Sequence, residues 1–393
     1  LSIAGGSAGP AASSSQIGRF ETEWLASDDN LAALSDLSGA WIDRARYGSK
    51  TIVLDIDSSV SPTHGEQEGS RYNGHFGCTC YHPLFVFNQF GDLERCTLRP
   101  GHVHSADGWR ELLGPVVERY RDRAGRRYLR GDAAFASPEF YAFLEAEGFL
   151  YAIRLPENQI LQRRIAHLLA RPVGRPSQHI KRYYVSFDYQ AQSWDRARRV
   201  GCQDRMASRP ADPHLWLHCH QPVRSADRVS AFYNQRRKAE QYIKEGKHAI
   251  KWTRLSCQKF RNNEVRLQLH ERAYKLANFM RTLALPRSMA RWSLTTLREK
   301  LVRHGRYVTF QMAEVAVSRR MFGQILARIA RLRAPPVPPP QCVPWVLTSD
   351  TRSLKALQCL HDSRRPAFVP NAIDSLGRYS WKVTGSTMLS RVM

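Results

Sequence analysis

The sequence predicts a mixed α/β fold: a sheet with helices on its faces, followed by a helical and basic C-terminal part. Two observations predict the sheet. Residues 51–57 and 126–131 are short strand-like runs, and an acid closes each of them, Asp57 and Asp132. Residues 79–89 and 93–98 flank Phe90, Gly91 and Asp92 and read as an antiparallel hairpin. A third observation predicts the helices. Between and after these runs, apolar residues recur at intervals of three and four.

In chain order, residues 1–48 begin rich in Gly, Ala and Ser and become weakly helical from Phe20 to about Arg46. The run 51–57 is apolar and β-branched, as a buried strand requires, and it delivers a carboxylate at its end. After the hairpin, Asp107 is an N-cap for a helix over 107–124, with Trp109, Leu112, Leu113, Val116, Val117 and Tyr120 on one face. The strand 126–131 follows. Ser137 then caps a helix over 138–147, with Pro138 at its favoured first position. Gly148 ends that helix, and 149–155 is a further strand. Strand, hairpin, helix, strand, helix, strand is the order of a ribonuclease-H-like core, a mixed five-stranded sheet with flanking helices.

Residues 156–229 are less regular and read as an insertion, with a β segment at 180–189. A helix from Ser230 to about Gly246 follows. Residues 258–285 and 294–331 are helical and basic, with Leu267, Leu269, Leu276 and Phe279 available for packing. After Arg333 a proline cluster breaks the pattern, and 334–393 is an irregular tail. The organisation is therefore an N-terminal segment 1–48, a first core part 49–155, an insertion 156–229, a helical part 230–333 and the tail.

The 393 residues are enough for a sizeable core, and 42% hydrophobic content belongs to a folding chain. A net charge of +24 implies a polyanionic partner, nucleic acid first. No run of about 18 apolar residues suggests a membrane helix. The first residues lack the basic-then-apolar order of a secretory leader, and a start at Leu1 in place of Met reads as an internal fragment or a gene that has lost its start. Eight scattered cysteines fit a reducing cytoplasm, and Cys78 and Cys80 share one strand face. His64, His75, His102 and His104 match no zinc spacing.

Residues 233–247 carry the most informative pattern. Tyr233, Arg236, Glu240 and Lys247 are separated by three, four and seven residues. On an α-helix, seven residues return to within about 20° of one face and four to within about 40°. A carboxylate held between cations suits a metal whose other ligands are phosphate oxygens. All four positions match the Y-(2)-R-(3)-E-(6)-K pattern of the DDE transposases of bacterial insertion sequences, and the chain resembles that family. The stretches 64–69, 72–77 and 130–136 resemble it too, so that the resemblance covers about 4–201 and 225–334.

The resemblance implies a DNA transposase that cuts and joins DNA at insertion-sequence ends. Asp57, Asp132 and Glu240 would be the catalytic acids and would hold two Mg²⁺ ions, with Mn²⁺ able to substitute. Asp55 shares a strand face with Asp57. Asp57 is preferred as the first acid because Ser58 and Ser59 follow it, an acid-then-hydroxyl pattern similar to related enzymes. Tyr233, Arg236 and Lys247 would face DNA, and Trp252 is either a base-stacking platform or core. The implied partners are terminal inverted repeats and target DNA, bound by a homodimer in the nucleoid-associated cytoplasm. Residues 1–48 would be what remains of an N-terminal DNA-binding region.

One stretch departs from the family. Residues 202–224 are rich in Cys, His and Pro, lack alternation, and are expected to form no regular strands and to bind no metal. On that ground the chain reads as a decayed copy with weak strand transfer. Two rival readings are a metal-dependent nuclease on the same core and a catalytically inactive DNA-binding remnant.

Overall fold

The computed structural model describes residues 13–123, 125–156, 158–169, 181–206, 218–220, 225–301 and 319–331. Its strands are β1 (Thr51–Ser58), β2 (Ser61–Pro62), β3 (Arg71–Asn73), β4 (Cys78–Tyr81), β5 (Leu84–Asn88), β6 (Leu93–Thr97), β7 (Arg126–Gly131), β8 (Leu150–Arg154), β9 (Lys181–Tyr189), β10 (Arg198–Met206) and β11 (His218–His220). Its α-helices are α1 (Ser14–Arg19), α2 (Asp28–Ala45), α3 (Trp109–Tyr120), α4 (Pro138–Ala146), α5 (Gln159–Leu169), α6 (Ala226–Asn234), α7 (Arg237–Glu245), α8 (Phe260–Phe279), α9 (Leu294–Leu301) and α10 (Arg319–Arg331).

The main sheet runs β6-β5-β1-β7-β8-β11-β10-β9. In its first five strands, β6, β5 and β1 are antiparallel neighbours, while β1, β7 and β8 are parallel. That is the mixed five-stranded order of a ribonuclease-H-like core. The sheet is wider than the sequence predicts, because the insertion adds three antiparallel strands to it, with β11 paired to β8.

Residues 202–224 were expected to lack strands, and this is corrected. Cys202 to Met206 complete β10, and His218 to His220 form β11. The prolines that argued against strands, at 210, 213 and 222, fall on neither, and they lie outside the described residues. Val200, Gly201, Cys202 and Gln203 are all buried, so this part of β10 is covered on both faces and needs no alternation of apolar and polar residues.

The predicted strand 79–89 also divides. Pro83 has no N–H, and the chain leaves one sheet for another there. β4 pairs with β2 and β3 in a separate three-stranded sheet, and β5 enters the main one.

Each face of the main sheet carries its own core. Ile52, Leu54, Ile56, Leu84 and Val86 pack with α3, α4 and α5 on one side. Phe85, Phe87 and Leu93 pack on the other side with residues of α7, α8 and α9. Alternation along β1 therefore sends Asp55 and Asp57 toward the second side, where α7 lies. The segment before β1 joins this second side. Ser38 on α2 donates to Leu93 O at 2.7 Å and Glu271 on α8 at 2.9 Å, and Lys275 pairs with Glu271 at 2.7 Å. Among the described residues, no helix is long and apolar enough to cross a membrane.

Candidate active site

Asp57 is the penultimate residue of β1, and Asp132 directly follows β7. The parallel register pairs Asp55 with Arg130, so the next residues on the same face are Asp57 and Asp132. Each has a local anchor. Asp57 accepts from the Ser58 amide at 3.0 Å, and Asp132 accepts from the Ala134 amide at 3.0 Å, capping a short 3₁₀ turn.

The third acid comes from a helix that is not continuous. The sequence predicts one helix from 230 to about 246, but it breaks into α6 and α7 at Gln235 and Arg236. Both break residues keep right-handed helical angles, so the four-residue stripe survives across the joint. Tyr233 ends up in the last turn of α6, Arg236 at the joint, Glu240 on α7, and Lys247 in a π-helical turn, Gly246–Ile250.

Arg236 is the centre of the arrangement. Its guanidinium lies 2.9 Å from Asp57, 3.7 Å from Asp132 and 3.6 Å from Glu240. Three acids from three elements thus converge on one cation. Burial pushes the Asp57 carboxyl up to about 6. Arg236 pulls against this, while Asp132 and Glu240 reinforce it. Burial alone would lower the Arg236 pKa, but the carboxylates of Asp57 and Asp132 outweigh it and raise it. Burial lowers the half-buried Lys247, and Asp57 opposes that shift. Arg236 Nε is buried and has no hydrogen-bond partner among the described residues.

Asp55, the alternative first acid, is engaged elsewhere. It is 1% exposed and takes a bidentate pair from Arg130, Nε and Nη2 both at 2.6 Å. The sequence reading missed Arg130. The signal was present: Asp55 precedes Asp57 by two residues, as Arg130 precedes Asp132, on neighbouring strands.

The residues read as DNA-facing differ in their placement. Lys247 is half-buried and feels the charge of Asp57. Tyr233 is buried with Val229 and Ala152, and Arg236 meets carboxylates where phosphates were expected. Trp252 takes the core role. It is 1% exposed, stacked on Phe85 at 4.8 Å, and seated so closely on Gly246 that a Cβ there would come within 2.2 Å of its ring. A ring so enclosed offers no face to a base. His64, His75, His102 and His104 are exposed. Among the described residues, no three His, Cys, Asp or Glu side chains are grouped so as to hold a metal.

The family model described as transposase DDE domain group 1 matches residues 1–334. No curated protein matches the chain. Among solved structures, the piggyBac transposase in a synaptic complex with hairpin DNA is 13% identical, with a TM-score of 0.37. The match covers 73% of this chain but spans 58% of the length of that one. At that score the likeness carries no weight for the fold, which rests on the strand order. With five-sixths of its length matched by the family model, the chain belongs to the transposase DDE domain group 1 family, a family of DNA-binding phosphoryl-transfer enzymes.

Proposed function

We propose that the chain is a transposase that cleaves DNA at the ends of an insertion sequence and transfers the strand to target DNA, using divalent metal. The observation that supports this reading best is the convergence of Asp57, Asp132 and Glu240 on Arg236. Three carboxylates share one guanidinium, and Asp57 alone also feels Lys247, so the cluster draws further positive charge.

The donor set fits magnesium in kind, since carboxylate oxygens are hard ligands. In the present arrangement the guanidinium stands among the acids. Metal binding there requires the guanidinium, 2.9 Å from Asp57, to give up its place among the acids. Asp57, Asp132 and Glu240 would then hold the ions, which when bound supply activation of a water or 3′-hydroxyl and stabilise the leaving oxygen. Asp57 must be ionised to serve, and in the metal-free arrangement burial holds its carboxyl up to about 6, so protons compete with metal there.

Phosphate contacts come from the exposed cations Arg237, Lys238, Lys244, Arg254 and Lys259, beside the half-buried Lys247. Binding should weaken steeply with salt, with a log–log slope near −0.9 for each phosphate neutralised on duplex DNA. A flat salt dependence counts against the DNA reading.

The deciding experiment is incubation with Mg²⁺ and DNA carrying the element's own terminal repeats. Strand transfer supports the proposal. General cutting makes the chain a nuclease on the same core, and binding without cutting makes it an inactive remnant. The physical reason given for decay, an insertion without strands, is weakened by β10 and β11.

A further inference from the structure

We propose that Arg130 is a positioning residue that fixes β1 and β7, which carry Asp57 and Asp132, relative to the end of α6, from which the chain turns into α7 and Glu240. It touches none of the acids assigned to catalysis.

Its guanidinium makes three contacts of different origin. Nε and Nη2 donate to the two carboxylate oxygens of Asp55 on β1, each at 2.6 Å. Nη1 donates to the carbonyl of Phe232 on α6 at 2.9 Å. The guanidinium also lies 5.0 Å from the centre of the Phe232 ring. Arg130 is itself on β7 and 3% exposed. One buried side chain therefore joins β1 two residues before Asp57, β7 two residues before Asp132, and the last turn of α6 four residues before Arg236.

The Phe232 contact is placed where it has most leverage. Helix C-termini leave carbonyls without intrahelical partners, and a cation there complements the helix dipole. The Phe232 carbonyl accepts from the Gln235 amide at 3.3 Å, the residue at which α6 gives way to α7. Arg130 thus clamps α6 at the joint whose angle aims Arg236 and Glu240 at the strand-end aspartates. The bidentate geometry matters, because a guanidinium fork fixes direction as well as distance and an ammonium does not.

The inference rests on the reading of Asp57, Asp132 and Glu240 as the metal-binding acids, and the test separates the two. The variants are Arg130→Lys and the double variant Asp55→Leu with Arg130→Met. Replacing both members of a buried pair by apolar groups often leaves stability intact, so the double variant should fold while lacking the clamp. Denaturant unfolding establishes that each variant is folded. Hydrogen exchange over 226–245 and Mn²⁺ titration by electron spin resonance are then compared with the parent chain.

Amides around the joint, 232–237, should exchange about tenfold faster in the double variant while those of β1 and β7 keep their protection. Its Mn²⁺ affinity should fall by about tenfold or more, the usual loss when a group that orients a ligand is removed. Arg130→Lys should recover part of the protection at the joint and less of the affinity. Should the double variant fail to fold, Arg130→Lys alone carries the same two measurements. Parent-like exchange at 232–237 in a folded variant overturns the clamp, whatever the metal result. If the parent itself binds no Mn²⁺ at the acids, the functional reading falls, and faster exchange at the joint still establishes the positioning role.

Discussion

Asp55 and Asp57 stand two residues apart on the same face of β1, and each meets an arginine, yet their surroundings differ. Asp55 lies within the β1–β7 ladder, 1% exposed, and shares two short hydrogen bonds with Arg130. Asp57 lies at the strand end, where Arg236 is divided among three carboxylates at 2.9–3.7 Å. Burial pushes both carboxyls up, against the pull of their arginines. One charge matched to one partner makes a sealed tie between strands. Three charges facing one cation make a site that draws further counter-charge. Position along the strand, and not residue type, separates framework from candidate chemistry.

The comparison breaks most readily on stability. Asp55→Ala leaves the buried Arg130 uncompensated and should cost about 3–5 kcal/mol in chemical denaturation. A loss as small as that of an exposed site would remove the distinction between the two aspartates.

A smaller effect is expected at Asp57, and it should depend on pH. Its folded pKa of about 6 lies above its ordinary value of 3.8. A raised carboxyl pKa gives stability that is fully present below the ordinary value and lost as pH rises through the folded one. Without divalent metal, the parent chain should therefore lose on the order of 2 kcal/mol relative to Asp57→Asn between about pH 4 and pH 7. Parallel unfolding curves for the two proteins across that range would contradict the buried, mutually repelling cluster.

Arg236→Gln sharpens the comparison further. It removes the shared counter-ion and should destabilise the metal-free chain by about 1–3 kcal/mol. Millimolar Mn²⁺ should recover part of that loss in a thermal melt, because a bound cation stabilises the state that binds it. No recovery, in a variant shown to be folded, means that metal does not take over the charge balance among the acids.

The smallest expected change in stability is at Glu240, whose side chain is 52% exposed. Glu240→Gln should alter unfolding by less than about 0.5 kcal/mol. The same substitution should lower metal-dependent cutting by at least about a hundredfold if Glu240 holds the ion. Retained cutting would take Glu240 out of the site without disturbing the framework.

Much of this molecule was legible in advance because its signals are local. Strand-end acids, the Ser137 cap and the stripe at 233–247 depend on neighbours a few residues away, and the structure keeps them. The width of the sheet was not legible. β10 and β11 are held by pairing with strands distant in sequence, so weak alternation did not forbid them. Trp252 was equally ambiguous. A tryptophan after a basic helix reads alike whether it faces DNA or Phe85, and its burial depends on the glycine across from it.

By itself the sequence determined the succession of strands and helices along the core, the acids that close two strands, and the charge that calls for a polyanion. Those follow from alternation, capping and composition, which are properties of the chain one segment at a time. Only the tertiary structure separated the surroundings of Asp55 and Asp57, since alternation gives both the same face. It also turned Arg236 toward the acids and tied Arg130 to a helix end about a hundred positions away. Such pairings are settled by which charges are left without water once the sheet and helices close together, and no segment carries that information alone.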